Sequence, residues 1–293
     1  VPYIIYSFFP DERPFVDNRP EAYPVNFFQD LFLPMHTSQD VWKKQDEEFN
    51  FNAIIFSLND QAPWNLPFIV ARINDPPPGA GVIAPEPWPH LRELRRALKT
   101  LKKIIIVKAK QIGISWEVAD YALWQAAYQG WRVLEYSRGQ LEARELLDKS
   151  GFIYNLLPLP LQRAGSQIKT EEIYFPHNYG RILALPATQV AGVSFTASLV
   201  IMDEADFHEY FQENYDAAAK PTADAGGQII VLSTVNPFKV NSPFQQMARL
   251  AGDKVPGENG FARFFFPYDV RPGRDEAWYA ASRAATIDPF VFQ

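Results

Sequence analysis

Apolar runs of strand length alternate with amphipathic helical patterns through the middle of the chain, and this alternation limits the possible folds more than any other feature. Strands are predicted at "IIIV" (104–107), "RVLEY" (132–136), "SLVIM" (198–202) and "QIIVL" (228–232), and most of these runs suit burial on both faces. The alternation predicts an α/β fold with a mainly parallel sheet and helices on both faces. Because ligands bind at the carboxyl ends of strands in such sheets, the polar residues directly after each strand are the candidates for function.

Helical and turn signals fill the intervals between these strands. Leucines at helical spacing predict an amphipathic helix in "HLRELRRALKTL", and further helices are predicted from Ser115 to a cap at Gly130, in "LEARELLDKSGFIYNLL" and in "DEAWYAASRAA". "EIYF" and "RILAL" predict a hairpin with Asn178 and Gly180 in its turn, and "FARFFF" predicts a late or edge strand.

The first third of the chain has a different character. Residues 1–75 are rich in Phe, Tyr, Pro and Asn and predict an irregular, partly helical region, and the stretch from Asn74 to Pro89 predicts a linker or surface loop. We therefore expect an N-terminal extension with a proline-rich linker at residues 1–89 and a main domain at residues 90–293. No apolar run approaches the ~20 residues that cross a bilayer, so we expect a soluble protein that is not exported.

The composition excludes several kinds of chemistry. The chain has no cysteine and four histidines, which rules out disulfides and thiolate zinc sites and leaves little for a transition-metal site. Catalysis must then depend on carboxylates, hydroxyls, lysines, arginines or a bound hard cation. The net charge is −6, yet basic residues concentrate between residues 92 and 110. This segment is expected to face an anion. For Arg92, Arg95, Arg96 and Lys99, a solvated helix face is the alternative.

The stretch "VKAKQIGISWE", directly after the first strand, has the spacing of a phosphate-binding loop with one change. On the template G-x-x-x-x-G-K-[ST], Gly113 and Ser115 match, whereas Lys108 replaces the first glycine and Ile114 replaces the lysine. Lys108 or Lys110, at the start of the same loop, is long enough to reach bound phosphates from the opposite rim. A strand-to-helix turn without a ligand is the alternative, and it is favoured when the loop is considered alone.

An acidic pair follows the strand "SLVIM". Asp203 and Glu204 are predicted at the tip of that strand beside the loop, where Asp203 would hold magnesium through water and Glu204 would polarise the attacking water. By the alternation of a strand, Glu204 is expected to point the opposite way from Asp203. An acidic helix N-cap is the structural alternative, and Asp206 is interpreted as a local cap or a solvated residue.

A third polar tip, "STVNP", follows the strand "QIIVL". Ser233, Thr234 and Asn236 are placed to sense the terminal phosphate of a nucleotide and to pass its loss to a neighbouring element. A plain Asn-Pro turn explains the same residues nearly as well. We predict the coupling role because the polar residues after all three strands are interpreted together as one nucleotide site.

In their order along the chain, these motifs resemble those of the ATPase half of a large terminase subunit, the DNA-packaging motor of tailed bacteriophages. "VKAKQIGISW" resembles the deviant phosphate loop of that family, "EYSRGQLEARELLDK" the strand and helix that follow, "FTASLVIMDEAD" the carboxylate strand, and "VLSTVNP" with "SPFQQMAR" the coupling motif. The resemblance implies a P-loop NTPase of the ASCE type with an N-terminal extension or lid subdomain. It also implies an enzyme that hydrolyses ATP with Mg²⁺ to translocate double-stranded DNA into a procapsid.

The resemblance implies roles for the candidate residues as well. Glu204 is the expected catalytic base, and Ser115 and Asp203 are the expected magnesium residues. The expected ATP-binding residues are Lys108, Lys110, Gln111, Gly113, Ile114 and Ser115, and the expected coupling residues are Ser233, Thr234 and Asn236. Trp88 and His90 could flank the adenine, although packing is the favoured role.

The resemblance also implies partners and a location. The implied partners are double-stranded DNA, the small terminase subunit and the portal of the procapsid. On the portal the chain is expected to form a homo-oligomeric ring, expected to be a pentamer, and in isolation it is expected to be a monomer. The protein is expected in the host cell cytoplasm, transiently at the portal, without a membrane.

Two features depart from the family pattern, and two other functions stay open. "TQVAGVSFTASL" lacks the arginine that reaches a neighbouring subunit's ATP, so Arg138, Arg163 or Arg181 would have to serve, and the family's nuclease domain is expected to be absent. A helicase-type ATPase is one alternative, because "DEAD" also follows a buried strand there. A nucleotide-binding adaptor with a degenerate site is the other, for which Ile114 is the main argument.

Overall fold

The computed structural model describes residues 3–5, 15–17, 71–75, 79, 81–85, 88–157, 161–189 and 197–286. The chain divides into two compact units, residues 1–62 and 63–293. In the first unit, strands β1 (Tyr3–Ile5) and β2 (Phe15–Asp17) pair antiparallel. The predicted irregular, partly helical character of residues 1–75 otherwise lies outside the described residues, and the division predicted at residue 89 stays a prediction.

A hairpin of two short strands, β3 (Ile73–Asp75) and β4 (Gly81–Ile83), lies where the sequence predicted a linker or surface loop. β3 ends directly before Pro76, and β4 begins after the run of prolines. Because proline has no N–H to donate, strands can pair on either side of such a run but not within it. The structure differs from the predicted loop in this pairing.

One large mixed sheet dominates the second unit. In the described residues it has nine strands: β5 (Lys103–Lys108), β6 (Arg132–Ser137), β7 (Gln167–Ile168), β8 (Glu172–Phe175), β9 (Gly180–Pro186), β10 (Leu199–Met202), β11 (Gln228–Ser233), β12 (Gly252–Asp253) and β13 (Ala262–Phe266). Their order in space is β12, β13, β5, β11, β10, β6, β9, β8, β7, and all neighbours from β12 to β9 are parallel. β11 therefore separates β5, which precedes the loop, from β10, which precedes the acids.

Helices cover both faces of this sheet. They are α1 (Pro89–Thr100), α2 (Ile114–Gln129), α3 (Gln140–Leu156), α4 (Phe211–Asn214), α5 (Lys220–Asp224), α6 (Pro243–Leu250) and α7 (Glu276–Ala284), with a π-helical turn between α4 and α5. α2 packs against α1, α3 and β9, whereas α4, the π-helical turn and α6 pack on the opposite face. The predicted α/β architecture is confirmed. Among the described residues, no helix has the length and hydrophobicity to span a bilayer.

Strand alternation divides the core between the two faces. Ile105 of β5 packs with Val200 of β10 and Val231 of β11 in the cluster that α4 and α6 cover, while Ile104 and Ile106 point to the other face. All five side chains are fully buried. Burial of each such side chain stabilises the fold by roughly 1.5–3 kcal/mol, which explains why continuous apolar runs form these central strands.

The predicted helix ends and hairpin are also confirmed. α2 ends at a left-handed Gly130, and the turn between β8 and β9 is closed by Asn178, whose Oδ1 accepts the N–H of Gly180 at 2.9 Å. A Cβ on Gly180 would lie 1.9 Å from the carbonyl oxygen of Ala126, so only glycine lets this turn approach α2. β13, predicted as a late or edge strand, has only the two-residue β12 outside it.

Candidate nucleotide site

The carboxyl ends of three neighbouring parallel strands carry the predicted polar residues. β5 ends at Lys108, β10 is followed by Asp203 and Glu204, and β11 is followed by Thr234. Lys108 Nζ lies 3.2 Å from Glu204 Oε1, and Thr234 Oγ1 lies 3.4 Å from Glu204 Oε2. The three strand ends therefore meet at one point, with Glu204 in contact with both of the other two.

The loop between β5 and α2 takes left-handed backbone conformations at two positions. The φ angle is 58° at Gln111 and 83° at Gly113. Glycine adopts this conformation freely, whereas a residue such as glutamine pays about 1–3 kcal/mol and needs support from its surroundings. A Cβ on Gly113 would lie 3.3 Å from Leu91 Cδ1, so α1 packs closely against the turn. The loop thus has the tight glycine turn of a phosphate-binding loop and one strained residue before it.

Lys108 and Lys110 differ in where their side chains lie. Lys108 is only 9% exposed and forms the ion pair with Glu204. Lys110 is exposed, and the structure gives it no ion pair with the acids described around the site. The structure therefore brings Lys108 to the acidic strand ends and leaves Lys110 at the surface.

Ile114, at the position of the usual lysine, is the first residue of α2. Its side chain is 1% exposed and belongs to the hydrophobic core. The residue that appeared as a defect in the loop motif is therefore a packing residue, and only its backbone is available to a nucleotide.

Asp203 and Glu204 both reach the loop, although strand alternation predicted opposite directions. β10 ends before them, and Glu204 has a left-handed φ of 51°, so the alternation does not continue through this residue. Asp203 Oδ2 accepts a hydrogen bond from Ser115 Oγ at 3.4 Å, and Oδ1 accepts the N–H of Glu204 at 2.9 Å. The expected opposite orientation was wrong because the backbone turns out of the strand at Glu204.

The charge balance of this edge depends on burial. Burial raises the pKa of the Asp203 carboxyl, and the nearby Lys108 ammonium opposes that shift. Burial also lowers the pKa of His208 to about 4, so its neutral imidazole donates from Nε2 to the Asp203 carbonyl at 2.7 Å. Without a further cation, the negative charge of Asp203 is thus only partly balanced by its surroundings.

The oxygen atoms of Ser115 and Asp203 fit a hard divalent cation. Mg²⁺ prefers oxygen ligands and is usually held by one or two protein groups together with substrate phosphates and water. The described residues contain no group of three or more His, Cys, Asp or Glu side chains placed to hold a metal. A cation held here would therefore need further oxygen ligands from outside this pair.

Asp206 is the residue that the sequence interpretation missed. It is 1% exposed, and its carboxylate accepts the N–H of Asn236 at 2.6 Å, Gln245 Nε2 at 3.1 Å and the hydroxyl of Ser242. Its own N–H donates to Ser233 Oγ at 3.1 Å. The interpretation as a cap or solvated residue was wrong. The available signal was the run of hydrogen-bond donors in "STVNP" and "NSPFQ", which needs a buried acceptor.

The predicted coupling residues therefore divide into two groups. Thr234 contacts Glu204, whereas Ser233 and Asn236 contact Asp206. Together they connect the turn after β10 with the turn after β11 and with the first residues of α6.

A further buried acid lies beneath the site. Glu135 of β6 is fully buried, and neither carboxylate oxygen has a hydrogen-bond partner among the described residues. Burial raises its pKa to about 8, and the charge of Asp203 acts in the same direction. Glu135 is thus mainly protonated at neutral pH, so it adds little negative charge behind Asp203.

Arg95 and Glu117 form a buried ion pair between α1 and α2. Two hydrogen bonds of 2.6 and 3.0 Å join the guanidinium to the carboxylate. Burial raises the pKa of Glu117 to about 7, although Arg95 opposes the shift. Arg95 was expected on an anion-facing or solvated surface, and this was wrong because it fixes α1 to the helix that follows the loop.

The arginines suggested for contact with a neighbouring subunit have partners within the chain. Arg138 pairs with Glu142, four residues later. Arg181 lies 3.3 Å from Glu172, and the Arg163 guanidinium lies 4.5 Å from the ring centroid of Tyr128. Their suggested role stays a prediction. His90 is buried and its Nε2 donates to the loop carbonyl of residue 112 at 2.7 Å, which agrees with the favoured packing role.

Solved structures with a similar fold come from phage packaging proteins. The ATPase domain of the large terminase of Thermus phage P74-26 matches with a TM-score of 0.53 and 17% identity, over 66% of this chain and 87% of that chain. A mutant of the same domain matches with a TM-score of 0.50 and 16% identity, over 67% and 88%. No family model and no curated relative matches the sequence. The chain therefore shares its fold with the ATPase domain of this phage large terminase.

Proposed function

We propose that the chain is the ATPase motor domain of a viral large terminase subunit, which hydrolyses ATP with Mg²⁺ to move double-stranded DNA into a procapsid. The observation that carries the proposal is the contact of Lys108 with Glu204 beside the hydrogen bond between Ser115 and Asp203. A cation at the end of β5, a hydroxyl at the start of α2 and two acids after β10 thereby lie together, and phosphoryl transfer from ATP needs this set of groups. The shared fold supports the same assignment.

Lys108 has two possible partners in this proposal. In the structure its ammonium group pairs with Glu204. A triphosphate carries more negative charge than one carboxylate, so bound ATP draws Lys108 toward the phosphates. The exchange leaves Glu204 free to act as a base only when a nucleotide is present.

Ser115 and Asp203 are the residues that would hold Mg²⁺ beside the phosphates. The cation neutralises charge that develops on the phosphate oxygens during transfer. Asp203 gains from such a partner, because its burial otherwise disfavours the ionised carboxylate. Ser115, at the start of α2, also places its hydroxyl at a helix N-terminus, where anions are favoured.

Glu204 orients and deprotonates the attacking water. Thr234 contacts its other carboxylate oxygen, which holds the side chain in one orientation. Loss of the terminal phosphate changes the partners of Glu204, and the network of Asp206 carries that change to the turn after β11 and to α6. This gives hydrolysis a mechanical output.

The proposed partners follow from the motor role. They are double-stranded DNA, the small terminase subunit and the portal of the procapsid, with several copies of the chain in a ring, in the host cell cytoplasm and transiently at the portal. The net charge of −6 implies that only a limited patch of each copy meets the DNA phosphates. We therefore expect weak DNA binding by the single chain, with a strong dependence on salt.

The direct test is ATP turnover by the purified chain with Mg²⁺, with and without double-stranded DNA, followed by packaging of DNA into procapsids that carry a portal. We expect Mg²⁺-dependent turnover and ATP-dependent protection of DNA from added nuclease, both lost in Glu204→Gln. Separation of DNA strands with ATP would instead favour a helicase. Binding of ATP without turnover, or failure to bind ATP, would favour an adaptor with a degenerate site.

A further inference from the structure

Three consecutive carbonyls of the loop after β5 are held by side chains from other parts of the chain. Arg274 Nη1 donates to the carbonyl of Lys110 at 2.8 Å, and Arg271 Nη1 donates to the carbonyl of Gln111 at 2.8 Å. His90 Nε2 donates to the next carbonyl, that of residue 112, at 2.7 Å. Arg271 and Arg274 follow β13, so a segment distant in sequence holds this rim of the loop.

The two guanidinium groups are themselves placed by neighbouring groups. Arg271 lies 5.6 Å from the ring centroid of Trp88, and Arg274 lies 4.6 Å from that of Trp278. Arg274 Nη2 also donates to Gln111 Oε1 at 3.2 Å, so a single guanidinium binds both the backbone and a side chain of the loop. The planar fork of arginine is suited to such paired contacts, whereas lysine is not.

These contacts determine which way the loop amides point. In a trans peptide the C=O and the following N–H point in opposite directions, so the N–H groups of Gln111, Ile112 and Gly113 face away from the side chains that hold the carbonyls. In the described part of the chain, none of these three N–H groups donates a hydrogen bond of good geometry. Successive free N–H groups in a turn of this kind form an anion-binding concavity.

Gln111 shows why the loop needs this support. It is left-handed at a φ of 58°, a conformation that costs a non-glycine residue free energy, and both its carbonyl and its side chain are bound by arginines. A loop with glycine at this position would adopt the same turn unaided. The arginines therefore replace, by external contacts, the conformational freedom that Gln111 lacks.

We propose that Arg271 and Arg274 are positioning residues for the phosphate-binding loop, and that they couple nucleotide binding to the segment of residues 267–284, which includes α7. The inference rests on the proposed ATPase function. Arginines on one side of the loop and phosphates on the other both favour the same loop conformation. Nucleotide binding therefore strengthens the docking of the segment, and docking strengthens nucleotide binding by the same factor.

The test is equilibrium binding of ATP and steady-state turnover by the double variant Arg271→Ala/Arg274→Ala. We expect ATP to bind at least about fivefold more weakly, the lower end of typical couplings between sites, and KM to rise while kcat stays close to wild type. Adding Gln111→Gly restores much of the affinity, because glycine holds the turn without the arginines. Arg274→Lys alone gives an intermediate loss.

Arg283→Ala, an exposed arginine of α7, is the control for loss of charge. Equal ATP affinity in the wild type and the double variant overturns the proposal. So does an equal loss of affinity in Arg283→Ala, or a loss that Gln111→Gly leaves unchanged. Hydrogen exchange of the central strands, compared between the variants, shows that each variant is folded.

Hydrogen exchange also separates this proposal from the proposed function. In the protein without nucleotide, the double variant is expected to exchange faster across residues 267–284, whereas Arg283→Ala is not. This result is expected whether or not the chain hydrolyses ATP. Unchanged exchange there shows that the arginines do not hold the segment, even if ATP turnover is established.

Discussion

The two sides of the candidate site are held in place by different means. The acidic side is fixed from within by Asp206 in the turn after β10. Its buried carboxylate binds the turn after β11 and the start of α6, and its N–H donates to Ser233 Oγ. The loop side is held at its rim by Arg271 and Arg274, which contact it across 160 and 164 residues of sequence. The first set of contacts is buried, and the second is exposed.

This difference separates a fixed part of the site from an adjustable one. A buried, satisfied network resists change, because breaking one bond leaves a polar group without a partner. Exposed contacts exchange with water at little cost. We therefore expect the acids and the turns that Asp206 joins to move together with their hydrogen bonds intact, whereas the loop and the segment that holds it change their contacts when nucleotide binds.

The largest expected effect is on the acidic side and concerns chemistry. Glu204→Gln removes the proposed base and lowers kcat for ATP by about 10²–10⁴-fold. ATP affinity is expected to stay the same or to rise, because Lys108 loses its competing carboxylate. Steady-state turnover and equilibrium binding measure the two effects, with Glu209→Gln, an exposed acid, as the control. A kcat within tenfold of wild type contradicts the assignment of Glu204.

The second expected effect concerns the buried acid behind the fixed side. The folded-state pKa of Glu135 is about 8, above its ordinary value of 4.5, so the folded protein binds more protons than the unfolded chain between these pH values. The free energy of unfolding therefore falls as pH rises through this window. Glu135→Gln cannot ionise, so relative to wild type it gains roughly 2–4 kcal/mol between pH 5 and pH 8.

Urea unfolding at several pH values measures this difference, with Glu145→Gln as an exposed control. A difference between wild type and Glu135→Gln that does not change with pH shows that Glu135 is ionised or hydrated in the folded protein.

The third prediction compares the two sides directly through stability. Asp206→Asn keeps one acceptor oxygen but replaces the other by an NH₂ group, which is itself a donor and cannot accept from the three donors that bind Asp206. We expect it to lower the free energy of unfolding by about 1–3 kcal/mol. Arg271→Ala and Arg274→Ala are expected to lower it less, because their contacts are exposed. Urea unfolding with Asp224→Asn as an exposed control ranks the variants. If the arginine variants lower the free energy of unfolding more than Asp206→Asn does, the acidic side is not the more firmly held of the two.

Sequence reasoning reached most of the fold because local pattern determines it. Continuous apolar runs such as that of residues 104–107 are typical of strands covered on both faces, and Gly130 and Gly180 stand where a helix ends and where a turn approaches a helix. α4, α5 and α6 were not predicted as helices, since the segments before and after β11 are short and carry mixed signals. Their helical form depends on packing against the sheet.

The site was predictable in its members but not in its contacts. The positions of Asp203 and Glu204 follow from the strand before them, yet their shared direction depends on a left-handed turn at Glu204. The burial of Asp206 depends on donors 30 to 39 residues later in the chain. Arg274 lies in a segment with no motif. Such contacts come from the folding of distant segments together, which spacing along the chain does not record.

The central claim is that one cation, contributed by Lys108, faces the acids across a nucleotide cradle. Its most direct test is the equilibrium dissociation constant of Mg·ATP for wild type, Lys108→Ala and Lys110→Ala, measured under identical salt. The account predicts that the loss of Lys108 weakens binding by at least about tenfold, close to 1.4 kcal/mol, while the loss of the exposed Lys110 changes it by less than about twofold. Equal affinities in all three proteins, or a larger loss in Lys110→Ala, would contradict it.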